Sequence, residues 1–574
     1  MKVTLAKTAG FCMGVRRAVE MVIDTANRAG EPVYTYGPLI HNPQVMEILR
    51  EKGVSVLEEI PETGRGTVLI RAHGVTPGVK ERLVAAGFDV LDATCPRVTK
   101  VQVLIRRHVE KGYLPIIAGD ADHPEVTGLL GHSGGKGVVV SAPEDVDRLP
   151  DADKVLVVAQ TTQDMAGFDR IRERIVERWP DARVHNTICD STRKRQEEAL
   201  AMAGDVDVMI VVGGKNSGNT QRLAQVAARS GVPTYHVETA EEIDPADVAR
   251  ARRVGVTAGA STPNWIIRAV RRGLEHPAHL KGDWRGTAFS VQRFLVITNL
   301  YVGLAAAALA GASAMYMGAS PRLPAVVIAF CYVLSMHIAN NFIGANAIRY
   351  NDPDRAHFYD RHRVPLLALA VVAGVAAVLT GTMLGTAPFL ILLVMMTLGL
   401  LYNVRIVPAR FGSRYIRIRA IPGSKAVLIA VAWGVVCALL PALALPGPLT
   451  PLQVYVFVWA TSMVFVRSAF FDVLDVQVDR MVGQETFATW LGEVSTRRIL
   501  AGVIIALFLA ELAGAAAGFT PGLGYWLLPC PVIYAAIIRA HRLDILHPGY
   551  RLEFLVETNI VLAGVIALFR GLLA

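Results

Sequence analysis

The sequence predicts two parts of different class: an α/β half built from three similar modules, then an all-α membrane bundle of about nine transmembrane helices. Three observations predict this. The chain has 574 residues, too many for one compact domain. Its mean hydropathy of +0.39 averages over a mixed, charged stretch that ends near Asp283 and a series of long apolar runs from Phe294 to Ala574. And one local pattern, a strand, a turn, a cysteine and a helix, occurs three times in the first part.

The pattern can be read off directly. "KVTLAKTAGFC" leads into "MGVRRAVEMVIDTANRAG", "GFDVLDATC" into "PRVTKVQVLIRRHVEKG", and "DARVHNTIC" into "DSTRKRQEEALAMAG". In each, β-like alternation gives way to helical period at the cysteine. Pro96 directly follows Cys95, where a first-turn proline is tolerated. The recurrence at roughly 80–95 residues implies three α/β modules. A cysteine at a helix N-terminus faces unpaired N–H groups, which favour its thiolate. Cys12, Cys95 and Cys189 could therefore converge as three thiolates on a soft metal or an iron–sulfur cluster. Three ligands rather than four leave one coordination position open for a substrate. A zinc hydrolase with a three-cysteine site is the alternative. It predicts a colourless protein where a cluster predicts a brown one.

The loops between the other elements carry polar groups of a second kind. His41 lies in "GPLIHNPQV", His73 in "TVLIRAHGVTPG" and His123 in "AGDADHPEVTG". Each follows an apolar run with Gly or Pro nearby, and cationic or donor imidazoles suit an anionic ligand such as a diphosphate. Thr161 in "VAQTTQ", Ser217, Gly218 and Asn219 in "GGKNSGNTQ" and Ser261 in "TAGASTP" add hydroxyls, an amide and backbone N–H groups. Taken singly, each is an ordinary solvated turn, and "GGKNSGNT" lacks Walker spacing. Glu125, two residues beyond His123, could be a proton source.

Together, "AGFCMGV", "GPLIHNPQV", "RAHGV", "DATCP", "HPEV", "QTT", "CDSTRKRQ", "KNSGNT" and "AGAS" resemble the 4-hydroxy-3-methylbut-2-enyl diphosphate reductase family over about residues 1–280. The resemblance implies a three-lobed α/β trefoil around a [4Fe–4S] cluster held by Cys12, Cys95 and Cys189. It implies a diphosphate substrate ringed by His41, His73, His123, Thr161, Ser217, Gly218, Asn219 and Ser261. Glu125 would be the proton donor, acting through Thr161. The family often has Ser where this chain has Gly218, and a backbone N–H still serves there. The reaction implied is reductive loss of an allylic hydroxyl, the last step of the non-mevalonate isoprenoid pathway, with electrons from a donor such as ferredoxin or flavodoxin.

The apolar runs lie near residues 294–317, 323–343, 364–384, 387–403, 426–445, 452–471, 498–518, 524–540 and 554–573. Each approaches the ~20 residues a bilayer requires. Basic loops such as "RYNDPDRAHFYDRHR" alternate with nearly uncharged ones such as "TGTMLGTAP". The positive-inside rule then predicts an integral membrane protein whose N-terminal half lies on the cytoplasmic side. Within "AFFDVLDVQVDRMVGQET", Asp472, Asp475 and Asp479 share one helix face, a spacing that suits Mg²⁺ bridged to a diphosphate. That stretch, with "LGLLYNVRIVPARFGSRYIRIRAIPGSK", resembles the second aspartate-rich motif region of the UbiA prenyltransferase superfamily. The first motif's counterpart is "MHIANNFIGANAIRYNDPD". It keeps Asn340, but Gly344 and Asn346 stand where acids are expected.

The domains expected are a reductase over 1–280, a linker over 281–293 and a UbiA-like membrane domain over 294–574. A second alternative makes the first half a regulatory module for a membrane prenyltransferase. The net charge of +9 does not argue for nucleic acid, because many arginines sit in the loops between apolar runs. Six cysteines so far apart make no disulfide framework, and Cys331, Cys437 and Cys530 lie inside apolar runs as small hydrophobes. "MKVTLAKTAG" is too short and polar for the apolar core of a signal peptide, so none is expected.

Overall fold

The computed structural model describes residues 1–28, 30–248, 250–275, 284–343, 348, 352–402, 405–408, 415–417, 421, 423–482, 486–543 and 545–573. The chain divides into two compact units, Met1–His279 and Leu280–Ala574.

The first unit holds three four-stranded parallel sheets. One contains β2 (Val33–Tyr36), β3 (Val54–Leu57), β4 (Thr67–Ile70) and β5 (Asp89–Asp92), in the order β3-β2-β4-β5. The next contains β6 (Leu114–Ala118), β7 (Val138–Val140), β8 (Val155–Ala159) and β9 (Arg183–His185), in the order β7-β6-β8-β9. Both have the same topology: the second strand is an edge, the first and third are central, and the fourth is the other edge. The third sheet repeats it with β10 (Val208–Val212), β11 (Thr234–Val237) and β12 (Arg253–Ala258), but its fourth strand is β1 (Lys2–Leu5), from the start of the chain. The modules are therefore offset from the strand-to-cysteine repeat, because the N-terminal strand completes the last module instead of opening the first.

Composition explains which strands are central. β8 (VLVVA) and β10 (VMIVV) are buried along their whole length, as strands covered by helices on both faces must be. The edges β5, β9 and β1 contain only exposed and half-buried residues. After each fourth strand comes a cysteine and then a helix: α1 (Met13–Arg28), α4 (Pro96–Val109) and α7 (Asp190–Ala203). After each first strand comes α2 (Pro43–Glu51), α5 (Pro124–Gly131) or α8 (Gly218–Ala228). With order 2-1-3-4, the chain leaves strands one and three in opposite directions. The crevice at their carboxyl ends is where a ligand fits.

The second unit is helical. Among the described residues, seven helices are long and apolar enough to cross a membrane: Leu323–Ile343, Arg363–Leu384, Ser424–Leu443, Pro451–Arg480, Glu493–Ala516, Leu523–Arg542 and Tyr550–Leu573. The other two of the nine apolar runs have different outcomes. The run near 294–317 is broken by 74° between Gly286–Ile297 and Leu300–Tyr316. The break falls at Asn299, which takes the left-handed conformation at φ 61° and donates from Nδ2 to the Tyr359 hydroxyl at 2.7 Å. The run near 387–403 gives only the 16-residue helix Thr386–Leu401, shorter than a span. Of the expected linker, 281–283 lie outside the described residues. From Trp284 onward it is helical, and Val296 and Ile297 pack against Tyr550.

A buried ion pair crosses this bundle. Arg467 Nε donates to Glu557 Oε1 at 2.7 Å, and the two side chains are 6% and 2% exposed. The guanidinium also lies over Trp433 and Phe471, each 5.2 Å to the ring centre. Removing one member leaves a bare charge in an apolar interior, at a cost of about 3–5 kcal/mol. Glu557→Ala is expected to lower the melting temperature of the detergent-solubilised chain sharply, and Arg467→Met with Glu557→Leu to lower it far less.

Candidate functional site

Every candidate in the first unit falls at the carboxyl end of a strand, at equivalent places in the three modules. After the first strands come His41, the His123–Glu125 pair and Ser217–Asn219. After the third strands come His73, Thr161 and Ser261. After the fourth come Cys95, Cys189 and Cys12.

The cysteine loops are pinned by one repeated hydrogen bond. The backbone N–H of Cys12 donates to Ala260 O at 3.1 Å, that of Cys95 to Ala72 O at 2.9 Å and that of Cys189 to Thr161 O at 2.9 Å. Each acceptor is at, or next to, the candidate on the third-strand loop of the same module. The thiols are half-buried and unpaired. Burial pushes the Cys95 thiol up, two backbone N–H groups of its own helix pull it down, and its neighbours Cys12 and Cys189 push it up further. The three thiols are thus electrostatic neighbours. Among the described residues, no three His, Cys, Asp or Glu side chains close on a point as one metal ion requires.

Two residues that the sequence reading passed over stand beside the thiols. Gly14, in the first turn of α1, has no side chain where a Cβ would lie 2.6 Å from Cys95 Sγ. Arg195, 3% exposed, donates from Nη1 to Ala258 O at 2.7 Å and from Nη2 to Gly10 O at 3.0 Å. Its Nε is buried without a partner, and its nearest charged neighbours include Cys12 and Cys189. A buried guanidinium N–H beside thiols calls for an acceptor that the protein does not supply. No local signal marks either residue, because both matter only through distant chain.

The histidines meet as well. Ring centres lie 5.2 Å apart for His41–His73, 5.3 Å for His73–His123 and 6.4 Å for His41–His123. Burial lowers all three, most strongly His73, and His123 falls to about 4. Arg71 lowers all three further, and neighbouring imidazoles add to the effect at His73 and His123. Sequence reasoning allowed cationic or donor imidazoles; at neutral pH the rings are neutral donors. His123 Nδ1 accepts from the Glu125 backbone N–H at 3.1 Å, so its proton sits on Nε2. His73 Nδ1 and Asn219 Nδ2 are buried without partners. Ser261 Oγ approaches Ser217 Oγ at 3.4 Å and His41 O at 3.3 Å. A side chain on Gly218 would meet His123 Cδ2 at 3.5 Å, ordinary contact, so a serine would fit there.

Glu125 is 1% exposed. Its Oε1 accepts the Thr161 N–H at 2.7 Å, and its Oε2 accepts the Thr161 hydroxyl at 2.8 Å. Burial pushes the carboxyl up to about 7, against the pull of those two bonds. Arg222 ties the neighbouring loops, with Nη2 on Asp120 at 2.8 Å and Nη1 on Thr162 O at 3.3 Å.

Residues 3–275 match the LytB protein family. The 4-hydroxy-3-methylbut-2-enyl diphosphate reductase of Geobacter sulfurreducens is 48% identical over 270 residues, which are 47% of this chain and 95% of that protein. The chain belongs to the LytB family. The Geobacter metallireducens protein of the same description is 47% identical over 273 residues, again 95% of its length. Membership of the LytB family accounts for the first unit only. A UbiA homolog from Aeropyrum pernix K1, solved in its apo form, aligns with 47% of this chain and 98% of its own, at 14% identity and a TM-score of 0.37.

In the second unit, Asp472, Asp475 and Asp479 lie on the helix Pro451–Val482, the first and last fully buried. Lys425 Nζ stands 3.0 Å from Asp472 Oδ1 and 3.8 Å from Asp479 Oδ2. Asn340 is half-buried near the end of Leu323–Ile343, and Gly344 and Asn346 lie outside the described residues.

Two substitutions test the thiol site. Gly14→Ala must displace Cys95 and is expected to lower iron per chain after anaerobic reconstitution. Arg195→Gln is expected to lower the reduction potential of whatever iron is retained, read by redox titration of its visible absorbance.

Proposed function

We propose that the first unit converts (E)-4-hydroxy-3-methylbut-2-enyl diphosphate to isopentenyl and dimethylallyl diphosphates. The observation that carries this is the joining, in a LytB-family chain, of three thiols, three imidazoles and a buried Glu125–Thr161 pair in equivalent loops of three modules. Cys12, Cys95 and Cys189 would hold a [4Fe–4S] cluster, which when bound supplies the electrons. The net change is balanced: two electrons and two protons enter, one C–O bond breaks, one C–H bond forms and water leaves.

The chain's own residues do the rest. His73 Nδ1, Asn219 Nδ2 and the hydroxyls of Ser217 and Ser261 offer donors to the diphosphate oxygens, as does the Gly218 N–H. The negative charge of the ligand raises the imidazole affinities for protons, so His41, His73 and His123 charge as it enters. Protonated Glu125 donates to Thr161 Oγ1 across the 2.8 Å contact, which frees the threonine proton for the leaving hydroxyl. Because Glu125 is raised to about 7, its proton is present below that pH and lost above it. The reductase rate is therefore expected to fall as pH rises through about 7. Glu125→Gln should remove that limb and lower kcat by about 100-fold or more. A pH profile of the anaerobic assay checks both, and unaltered turnover in Glu125→Gln would exclude the role. If the truncated first unit shows no reduction with an artificial donor, the regulatory alternative gains.

The second unit, by our reading, is a UbiA-like prenyltransferase, with the first unit on the cytoplasmic side. The supporting observation is the carboxylate row buried inside a membrane helix bundle, where each charge costs about 3 kcal/mol without a partner. Lys425 offsets part of the row, and the carboxylates would hold Mg²⁺ only together with the diphosphate oxygens it bridges, without a two-ion clamp. Asp472→Ala is expected to abolish Mg²⁺-dependent prenyl transfer, measured with a radiolabelled prenyl diphosphate and membrane lipid extract; unchanged product would remove Asp472 from the site.

A further inference from the structure

We propose that the helix Trp284–Ile297 lies flat in the surface of the bilayer, with the face that carries Trp284, Val291 and Phe294 set against the upper acyl chains of the lipid. The segment that opens the membrane unit is then an in-plane anchor, neither a solvated linker nor part of a span.

Length is the first consideration. An unbroken helix over 286–316 would run to about 46 Å, well past the ~30 Å of a hydrocarbon core. The chain instead bends by 74° between Ile297 and Leu300. The arm after the bend, Leu300–Tyr316, packs in parallel along Tyr550–Leu573, a helix long enough to cross by itself. The Tyr301 ring stacks on Phe554 with centres 4.2 Å apart, Gly564 has no side chain where a Cβ would lie 2.7 Å from Ala308 Cβ, and Gly571 likewise meets Met315. Close approach through small residues is how helices pack in lipid. The two helices therefore start at the same end of the bundle and share the same depth. The arm before the bend has no part in that depth. Inclined by 74°, its residues 286–297 advance only about 5 Å along the axis of the other arm.

The second consideration is which way this arm faces. A helix on a water surface turns its charges outward and its apolar residues inward. This one does the reverse. Trp284, Thr287, Ala288, Val291 and Phe294 stand at i, i+3, i+4, i+7 and i+10, on one face without a charge. Along that face Trp284 is 73% exposed, Val291 53% and Phe294 51%. The opposite side is fastened to the bundle and carries Arg293. Its guanidinium lies over the Tyr550 ring at 5.8 Å, Arg551 lies over the Phe289 ring at 5.6 Å, and Val296 and Ile297 pack on Tyr550.

An outward apolar face on a helix clamped by its charged side is favourable where the outside is itself apolar. The bilayer is the occupant that the neighbouring structure supplies. Just past the bend, Leu304 is exposed on the arm that runs at spanning depth, so lipid already covers the chain there. A tryptophan at the outer end and arginines beside aromatic rings are the composition of a headgroup boundary. Helices of this kind sink their apolar face about 5–10 Å below the headgroups, a depth that the shallow rise of this arm matches.

The test uses the full chain in nanodiscs of tritiated phosphatidylcholine. The photoreactive residue benzoylphenylalanine replaces Trp284, Val291 or Phe294 singly, with the buried Ile297 as the negative control and Val458, exposed on the helix Pro451–Arg480, as the positive one. On illumination the three sites are expected to take up tritium several-fold above Ile297 and near the level of Val458. Labelling no higher than at Ile297 overturns the proposal. So does a photoproduct, read by mass spectrometry, that joins the helix to residues of the first unit or to a second copy of the chain, because protein then covers the face. Depth is measured without an unnatural residue. The difference in fluorescence between wild type and Trp284→Phe should be quenched more by lipid brominated near the headgroup than by lipid brominated near the chain end. The reverse order would make the arm a re-entrant segment and sink the in-plane reading.

Discussion

The first unit depends on one repeated backbone hydrogen bond, from each cysteine N–H to a carbonyl on the third-strand loop of its module. The bond fixes the loop after strand four against the loop after strand three, and so places a thiol beside a polar ligand group three times over. Thr161 shows the consequence most fully. Its carbonyl holds Cys189, while its N–H and hydroxyl hold Glu125. A shift in one residue therefore moves a thiol and a buried carboxyl group together. The coupling is suited to chemistry in which electrons and protons must reach one carbon–oxygen bond.

The pinning works only because the topology is repeated. With strands one and three central, their carboxyl ends open into one crevice per sheet. The third sheet obtains its fourth strand from the start of the chain, and Cys12 follows that strand as Cys95 and Cys189 follow theirs. The closure ties the two ends of the unit into one sheet, so that sites nearly 250 residues apart, Cys12 and Ala260, become hydrogen-bonded neighbours.

What the sequence disclosed was local. The strand, turn, cysteine and helix order could be read at Cys12, Cys95 and Cys189 because each signal fits within about 30 residues. The polar loops at His41, His73 and His123 were visible for the same reason. The module boundaries were not, since nothing in "KVTL" indicates that it pairs with "RVGV". Gly14, Arg195, Arg222 and Lys425 were also hidden. The importance of each lies in a side chain or carbonyl supplied by distant sequence. In the second unit hydropathy marked the apolar runs, but the bend at Asn299 depends on Tyr359, and hydropathy does not carry that contact.

The two units handle negative charge by different means, and burial is the reason. In the first unit burial and Arg71 lower the proton affinities of all three clustered imidazoles, and neighbouring imidazoles lower those of His73 and His123 further, so the rings are neutral at neutral pH. In the second unit three carboxylates share one helix, two of them fully buried, and that charge cannot wait for a ligand. Lys425 is one response supplied by the chain itself, placed between the first and last of the row. Its ammonium sets a positive charge against carboxylates that the bundle buries, and one helix keeps the three acidic side chains together in an apolar setting.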